Sequence, residues 1–325
     1  MANETTSTSY STRALSYVLS EEALPANIAD IVVTPLCNDD DIDGAPSNVK
    51  QYAVYSDLGA ATAGTEGTAI TANTTLSMAS ALSGTVVEGA LVRSVVTDRA
   101  IAVKFPGMAG VAELMQRGAF DQHRAALQEE VNRLSGMCLE KMEADVVALL
   151  TGLSTSVGTS GVDFSVADAF TAIYTFDTLE PVTRNAAWVL TPNQVDELRR
   201  DLAVAGGGLG GAVWYNQADA SFLKAQGLPT NGFMGTFLGR PIYQYAHSLR
   251  VLSDTGANVN GALIAIGSGS PETGILGAFG IIRKGGLKVR LELSAENRGM
   301  IVVVGLEYVA LEVRDTHGVR IRTDA

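Results

Sequence analysis

Gly206, Gly208 and Gly211, within the run AGGGLGGAVW from Ala205 to Trp214, stand in the spacing G-x-G-x-x-G. In a dinucleotide-binding protein such glycines join a buried strand to the first turn of a helix, where backbone N–H groups face a pyrophosphate. Here the preceding segment, TPNQVDELRRDLAVA, reads as a helix with Thr191 at its N-cap and Pro192 at its first position. The run therefore follows a helix C-terminus, whose outward carbonyls and partial negative charge are the wrong polarity for a phosphate. The next residues, AVWYNQ, read as a short strand or loop rather than a long helix. A flexible loop that permits turns and close approach by a neighbouring chain is the expectation for these glycines. A nucleotide-binding enzyme using the 206–211 run stays as an alternative.

A second constellation is acidic. Asp39, Asp41, Asp43 and Gly44 imitate positions one, three, five and six of a calcium loop. Position twelve, which needs a bidentate Glu, is Lys50, and no helix flanks either side, so a solvated turn is expected. His123, His247 and His317 fall on different elements, His123 on a helix face and His317 in a turn, and support neither metal ligation nor a triad. There is no G-x-S-x-G elbow, and no lysine follows a glycine as a Walker A loop requires. Glu129, Glu130, Glu140 and Glu143 are interspersed with Arg133 and Lys141 and read as a solvated helix face. Cys37 and Cys138 form no C-x-x-C and read as free thiols of a reducing compartment. No catalytic residue, cofactor or metal site is expected.

Composition shifts attention from chemistry to surfaces. The chain is 46% hydrophobic but only 18% charged and 6% aromatic, with 34 glycines, a thin charge cover that contact with copies of itself would relieve. A net charge of -12 without a basic run opposes adhesion to nucleic-acid phosphates. The N-terminal residues lack the pattern of a signal peptide, and no window offers about 18 uninterrupted apolar residues, so neither secretion by that route nor membrane spanning is expected.

Elements follow in a distinctive order. Residues 1–12, rich in Ser and Thr, read as a mobile arm, and Glu21–Pro46 as extended chain and turns rather than a packed element. Between Asp57 and Val87 the only charges are Asp57 and Glu66, and Ile70, Ala72, Leu76, Met78, Leu82 and Val86 share one face of an alternating pattern, as a half-buried strand pair requires. An isolated two-stranded hairpin is marginal in water, so it must lie on something, either its own sheet or another subunit. From Asp121 to Leu150, Leu127, Val131, Leu134, Cys138, Met142, Val146 and Leu149 recur at steps of three and four, a continuous apolar stripe on a helix about 45 Å long. A second helix is expected near Ser165–Tyr174 and a buried strand at NAAWVL. The last third carries the strands ALIAIG, AFGIIR, LKVRLEL, MIVVVGLEYVALEV and VRIRT, with Asp315–Gly318 as a hairpin turn. The fold class is α+β.

This order resembles the Hong Kong 97-type fold of tailed-bacteriophage major capsid proteins over nearly the whole chain. AAWVLTPNQVDELRRDL resembles the strand and helix that open that family's A-domain, FLGRPIYQYAHSL its Leu-Gly-Arg-Pro passage, and ALEVRDTHGVRIRT its closing hairpin. The resemblance implies an N-terminal arm (1–50), an E-loop hairpin with flanking strands (51–100), a P-domain (101–185) with a spine helix over about 121–150, an A-domain (186–285) and returning C-terminal strands (286–325). It implies a non-enzymatic subunit that meets copies of itself as pentamers and hexamers around packaged double-stranded DNA, held without sequence-specific binding, in a virion assembled in the host bacterial cytoplasm. Portal, scaffolding and decoration proteins are the further partners implied, and no membrane. Glu66, Ile70, Leu76, Met78, Leu82, Gly206, Gly208, Gly211 and Trp214 are then subunit-interface residues. Two features depart from some members: no Lys lies between Lys50 and Lys104 to weld neighbours through the E-loop, and no long helical prodomain precedes the arm, which points to a separate scaffold or earlier processing. An encapsulin-like nanocompartment shares the fold and is the alternative.

Overall fold

A computed structural model describes residues 31–44, 47–55, 78–97, 120–179, 185–204, 214–215, 229–246, 249, 258–267, 277–294 and 299–324. In chain order its strands are β1 (Asn38–Asp41), β2 (Val49–Tyr55), β3 (Met78–Thr85), β4 (Val87–Thr97), β5 (Ser156–Val157), β6 (Ala186–Leu190), β7 (Trp214–Tyr215), β8 (Phe233–Phe237), β9 (Arg240–Gln244), β10 (Asn258–Ala265), β11 (Phe279–Arg283), β12 (Lys288–Ser294), β13 (Gly299–Glu312) and β14 (Gly318–Asp324). Three helices join them: α1 (Phe120–Ala148), α2 (Val166–Leu179) and α3 (Pro192–Val204). No helix among the described residues is long and apolar enough to cross a membrane.

The apolar stripe places α1. Leu127, Val131, Leu134, Cys138, Met142 and Val146 are all buried, each of the large side chains worth about 1.5–3 kcal/mol of transfer free energy, while Glu130 pairs with Arg133 and Lys141 with Asp145 on the wet side. The helix continues as a single tight turn over Leu149–Thr151. It lies across β13 and β4 of a five-stranded sheet, in which β13 pairs antiparallel with β4, β11 and β12 and β1 adds in parallel to β11. Val302, Val304, Leu306 and Tyr308 alternate along β13 toward α1, as a pleated strand with one face on a helix must. Near its end the opposite face, Val309 and Leu311, covers Ile42, Val86 and Ile282.

A seven-stranded sheet in the order β5-β14-β10-β6-β9-β8-β7 makes the second layer. Its central strands are buried on both faces, which is why AAWVL reads as an uninterrupted apolar run. Ala187, Val189, Ala262, Ile264, Tyr243 and Tyr245 face the core that contains α1, whereas Trp188, Leu190, Leu263, Ala265, Ile242 and Val319 face α2 and α3. Trp188 meets Phe164 and Phe237 at 6.2 and 6.0 Å between ring centroids. Both covering helices begin at capping boxes. In α3 the Gln194 N–H donates to Thr191 Oγ1 at 3.3 Å while Gln194 Oε1 accepts from the Thr191 N–H at 3.1 Å; Ser165 and Asp168 repeat the device at α2. The N-cap expected at Thr191 is thus present.

Four expectations need correction. The second helix runs past Tyr174 to Leu179, because Phe176 continues the buried face set by Ala169 and Ala172. The described partner of β3 is β2, at residues 49–55, rather than a strand inside the 57–87 run. Asp315–Gly318 does not close a hairpin: after a tight turn β13 stays in the first sheet and β14 joins the second, between β10 and β5. Asp315 accepts the Ser154 N–H at 2.7 Å there, and Gly318 packs so closely on Leu153 that a Cβ would stand 2.7 Å from its Cδ2. Finally, the end of the Glu21–Pro46 stretch is packed, with Val32, Val33 and Leu36 in the main core.

Candidate functional site

Residues 32–38 form a strap at the meeting of α1 and the two sheets. Glu143, on α1, is fully buried and its carboxylate takes four hydrogen bonds from the strap. The Val32 and Val33 N–H groups donate to Oε1 at 2.9 and 2.6 Å, and the Thr34 N–H and hydroxyl donate to Oε2 at 2.9 and 2.6 Å. Hydrogen bonds to a charged acceptor are worth about 1.5–3 kcal/mol each, and a buried carboxylate is tolerated only when so surrounded. Pro35 allows the tight turn Thr34–Leu36 that brings these donors round. Leu36 O then accepts from Gly267 N at the end of β10, and Asn38 Oδ1 accepts from Gly277 N at 2.6 Å ahead of β11. Gly232 has φ +68, and a Cβ there would lie 2.7 Å from both Val32 methyls. Glycine at 232 and 267 therefore lets the strap approach the seven-stranded sheet.

Glu143 corrects the solvated-face reading of the helix carboxylates, which holds for the exposed Glu129, while Glu130 is half-buried beside Arg133. Its signal was present: Val146 and Val147 are both buried, so the apolar face is wider than a single stripe, and Glu143 lies within it, four residues before Val147.

The acidic stretch is a turn only at its end: Asp39–Asp41 lie in β1, while Asp43 and Gly44 form the exposed turn expected, with the Asp43 N–H donating to Asp41 Oδ1 at 2.9 Å. Asp39 receives the Arg283 guanidinium through two parallel contacts, one of them Nε to Oδ1 at 2.9 Å; Asp40 pairs with Lys50 at 2.5 Å, and Asp41 accepts Gly285 N at 3.1 Å. Strand pairing with β11 sets Asp39 beside a protein cation and Asp41 beside a backbone N–H, so these members of the calcium-like spacing already have protein partners. Lys50 belongs to β2, and these contacts brace the root of the β2–β3 ribbon. Only Val86 separates β3 from β4; its side chain is buried against Ile42 and Ile282 and its N–H donates to Asn48 O at 2.7 Å. There the chain passes from the five-stranded sheet into a two-stranded ribbon whose described strands hydrogen-bond only to each other.

Of the interface residues expected from the sequence, Glu66, Ile70, Leu76, Gly206, Gly208 and Gly211 lie outside the described residues. Met78 and Leu82 are in β3 and Trp214 is in β7, the edge strand paired with β8. α3 ends at Val204 just before the glycine run and the two-residue strand β7 follows it, so a helix precedes these glycines where a dinucleotide-binding loop has a strand. His317 lies in its turn, as expected, and is buried there; His247 lies outside the described residues. No three His, Cys, Asp or Glu side chains among the described residues converge as a metal site would require. Both cysteines are free and buried; burial pushes the Cys138 thiol up to about 11, and burial with the Glu143 charge pushes Cys37 higher still.

No family model matches the sequence, and no curated protein matches it either. Solved structures do. The head of Helicobacter pylori bacteriophage KHP40 matches with a TM-score of 0.53 at 10% identity, over 93% of this chain and 91% of that one. The holo-SrpI encapsulin complex from Synechococcus elongatus PCC 7942 matches with a TM-score of 0.51 at 12% identity, over 89% and 86%. The capsid of an empty GTA particle matches with a TM-score of 0.50 at 13% identity, over 91% and 97%. The chain thus has the α+β Hong Kong 97-type capsid fold, as the order of its elements led us to expect.

Proposed function

We propose that this chain is the major capsid protein of a tailed bacteriophage, a structural subunit that assembles into an icosahedral shell around double-stranded DNA. The observation that carries this reading is the whole-length likeness to a bacteriophage head, the capsid of a GTA particle and an encapsulin, each match covering more than four-fifths of both chains. The ribbon supports it: β2 and β3 pair with each other alone among the described strands, and a lone two-stranded ribbon gains stability by lying on another surface. In this reading Glu66, Ile70, Leu76, Met78 and Leu82 of the hairpin, and Gly206, Gly208, Gly211 and Trp214 of the central region, meet neighbouring copies. Heterologous contacts of this kind close into rings of five and six, each burying on the order of 1,000 Å² or more. The net charge of -12 suits a wall that encloses DNA without gripping it. Virion location, assembly in the host cytoplasm, and portal, scaffolding and decoration partners follow from the same reading.

An encapsulin-like compartment is the second reading, favoured by the SrpI likeness at a TM-score close to that of the phage head. Contents separate the two. Particles purified from the native source and treated with nuclease are expected to retain protected double-stranded DNA. A stoichiometric protein cargo without DNA would replace the phage reading with the encapsulin one.

A further inference from the structure

We propose that Glu143 is a positioning residue for assembly: its buried carboxylate locks the Val32–Asn38 strap across α1 and the two sheets, and so sets where the amino-terminal segment leaves the subunit. The assembly half of this inference rests on the shell reading; the lock itself does not. Three observations converge on the lock. All four donors on Glu143 come from three consecutive residues, and three of them are backbone N–H groups, so the carboxylate reads the course of the chain rather than a side-chain identity. The strap is then fixed at two further points, Leu36 O on Gly267 and Asn38 on Gly277, one at the end of β10 and the other before β11. Val32, Val33 and Leu36 are buried in the core that α1 shares with both sheets. A segment tied in this way cannot shift along α1 without exposing three apolar side chains and stranding a buried charge.

The course of the chain where it enters the core is therefore fixed at Val32–Thr34. Subunits related by the shell's symmetry must send the amino-terminal segment the same way, because a symmetric assembly repeats each contact between equivalent subunits. A loosened strap would let otherwise folded subunits present it in different directions.

Glu143→Gln keeps the shape and puts an NH2 group among donors. Turned toward Thr34 it faces the Thr34 N–H, and turned the other way it faces two N–H groups, so at least one hydrogen bond is lost in either orientation. Thr34→Val removes only the hydroxyl donor, and Thr34→Ser retains it. Hydrogen exchange on the soluble subunit reads the amides of Val32–Thr34 directly, with the β6 and β10 amides as the control for global folding. The expected result is exchange about tenfold or more faster at Val32–Thr34 in Glu143→Gln, a smaller increase in Thr34→Val, none in Thr34→Ser, and β6 and β10 unchanged. In the same variants, shells counted by electron microscopy are expected to be lost or aberrant in the order of strap exchange. Unchanged exchange at Val32–Thr34 in Glu143→Gln would overturn the lock. If Glu143→Gln does not fold, native-like exchange in Thr34→Val does so. Faster exchange with normal shells would overturn the assembly role. Absence of shells from the native chain would instead count against the shell reading, with the exchange result still deciding the lock.

Discussion

Removing the end of the β2–β3 ribbon separates folding from assembly. In that ribbon Tyr55 stands opposite Met78, so residues 56–77 can be replaced by Asn-Gly, the pair that closes a two-residue hairpin turn. Shortening the connection about tenfold lowers its closure entropy by about 2 kcal/mol, a gain confined to the ribbon. Val86, Ile42 and Ile282 at its root are untouched, as are the Lys50–Asp40 and Arg283–Asp39 pairs. The shortened chain is therefore expected to melt within about 2 °C of the native subunit and to give the same far-ultraviolet circular dichroism. It is also expected to sediment as small species only, because Glu66, Ile70 and Leu76 have gone with the removed segment. Normal shells in electron micrographs of this variant would refute the assignment of the hairpin as an assembly element. A collapse in melting temperature would refute its independence from the subunit core.

Three further outcomes follow from the structure. Burial, reinforced by Asp163 and Asp324 and opposed by the Phe164 N–H hydrogen bond and Arg200, pushes the Glu197 carboxyl above its ordinary value. A carboxyl raised on folding opposes stability above its folded value and ceases to as pH falls through it, so Glu197→Gln should melt a degree or two higher at about pH 7.5 and lose that advantage by about pH 4; an advantage that grows in acid contradicts the sign. Cys37 and Cys138 are buried with raised thiols, so neither should react with a thiol reagent at about pH 8 until denaturant is added; stoichiometric labelling of the folded subunit would contradict their packing. Gly232→Ala must place a Cβ against Val32 and 2.8 Å from Gln244 O at a positive φ, and should cost about 1–3 kcal/mol in urea unfolding; an unchanged midpoint would mean the strap does not press on β8 and β9.

What could be read from the sequence was whatever obeys a local period. The α1 stripe, the buried AAWVL strand and the Thr191 cap each depend on neighbours a few residues apart, and each is where the pattern put it. What escaped depends on distant partners. The place of Glu143 on the apolar side of α1 hints at burial, but its partners, Val32–Thr34, come from more than a hundred residues away. Asp39 imitates a calcium ligand because its partner Arg283 is distant from it in the chain. Turn residues at Asp315–Gly318 signal a reversal but not which sheet the next strand joins; the antiparallel register of β14 with β10 decides that. The glycine run itself lies outside the described residues; its flanks, α3 before it and β7 after it, stand in the order that the sequence led us to expect.

The central claim is that the chain closes into a shell, and electron microscopy of the purified chain tests it most directly. Cells producing the chain, alone or together with the other proteins of its native source, should yield fast-sedimenting material that appears as closed isometric particles with pentameric and hexameric clusters. Particles that are absent under every such condition, with the folded chain remaining a monomer at high concentration, would contradict the account.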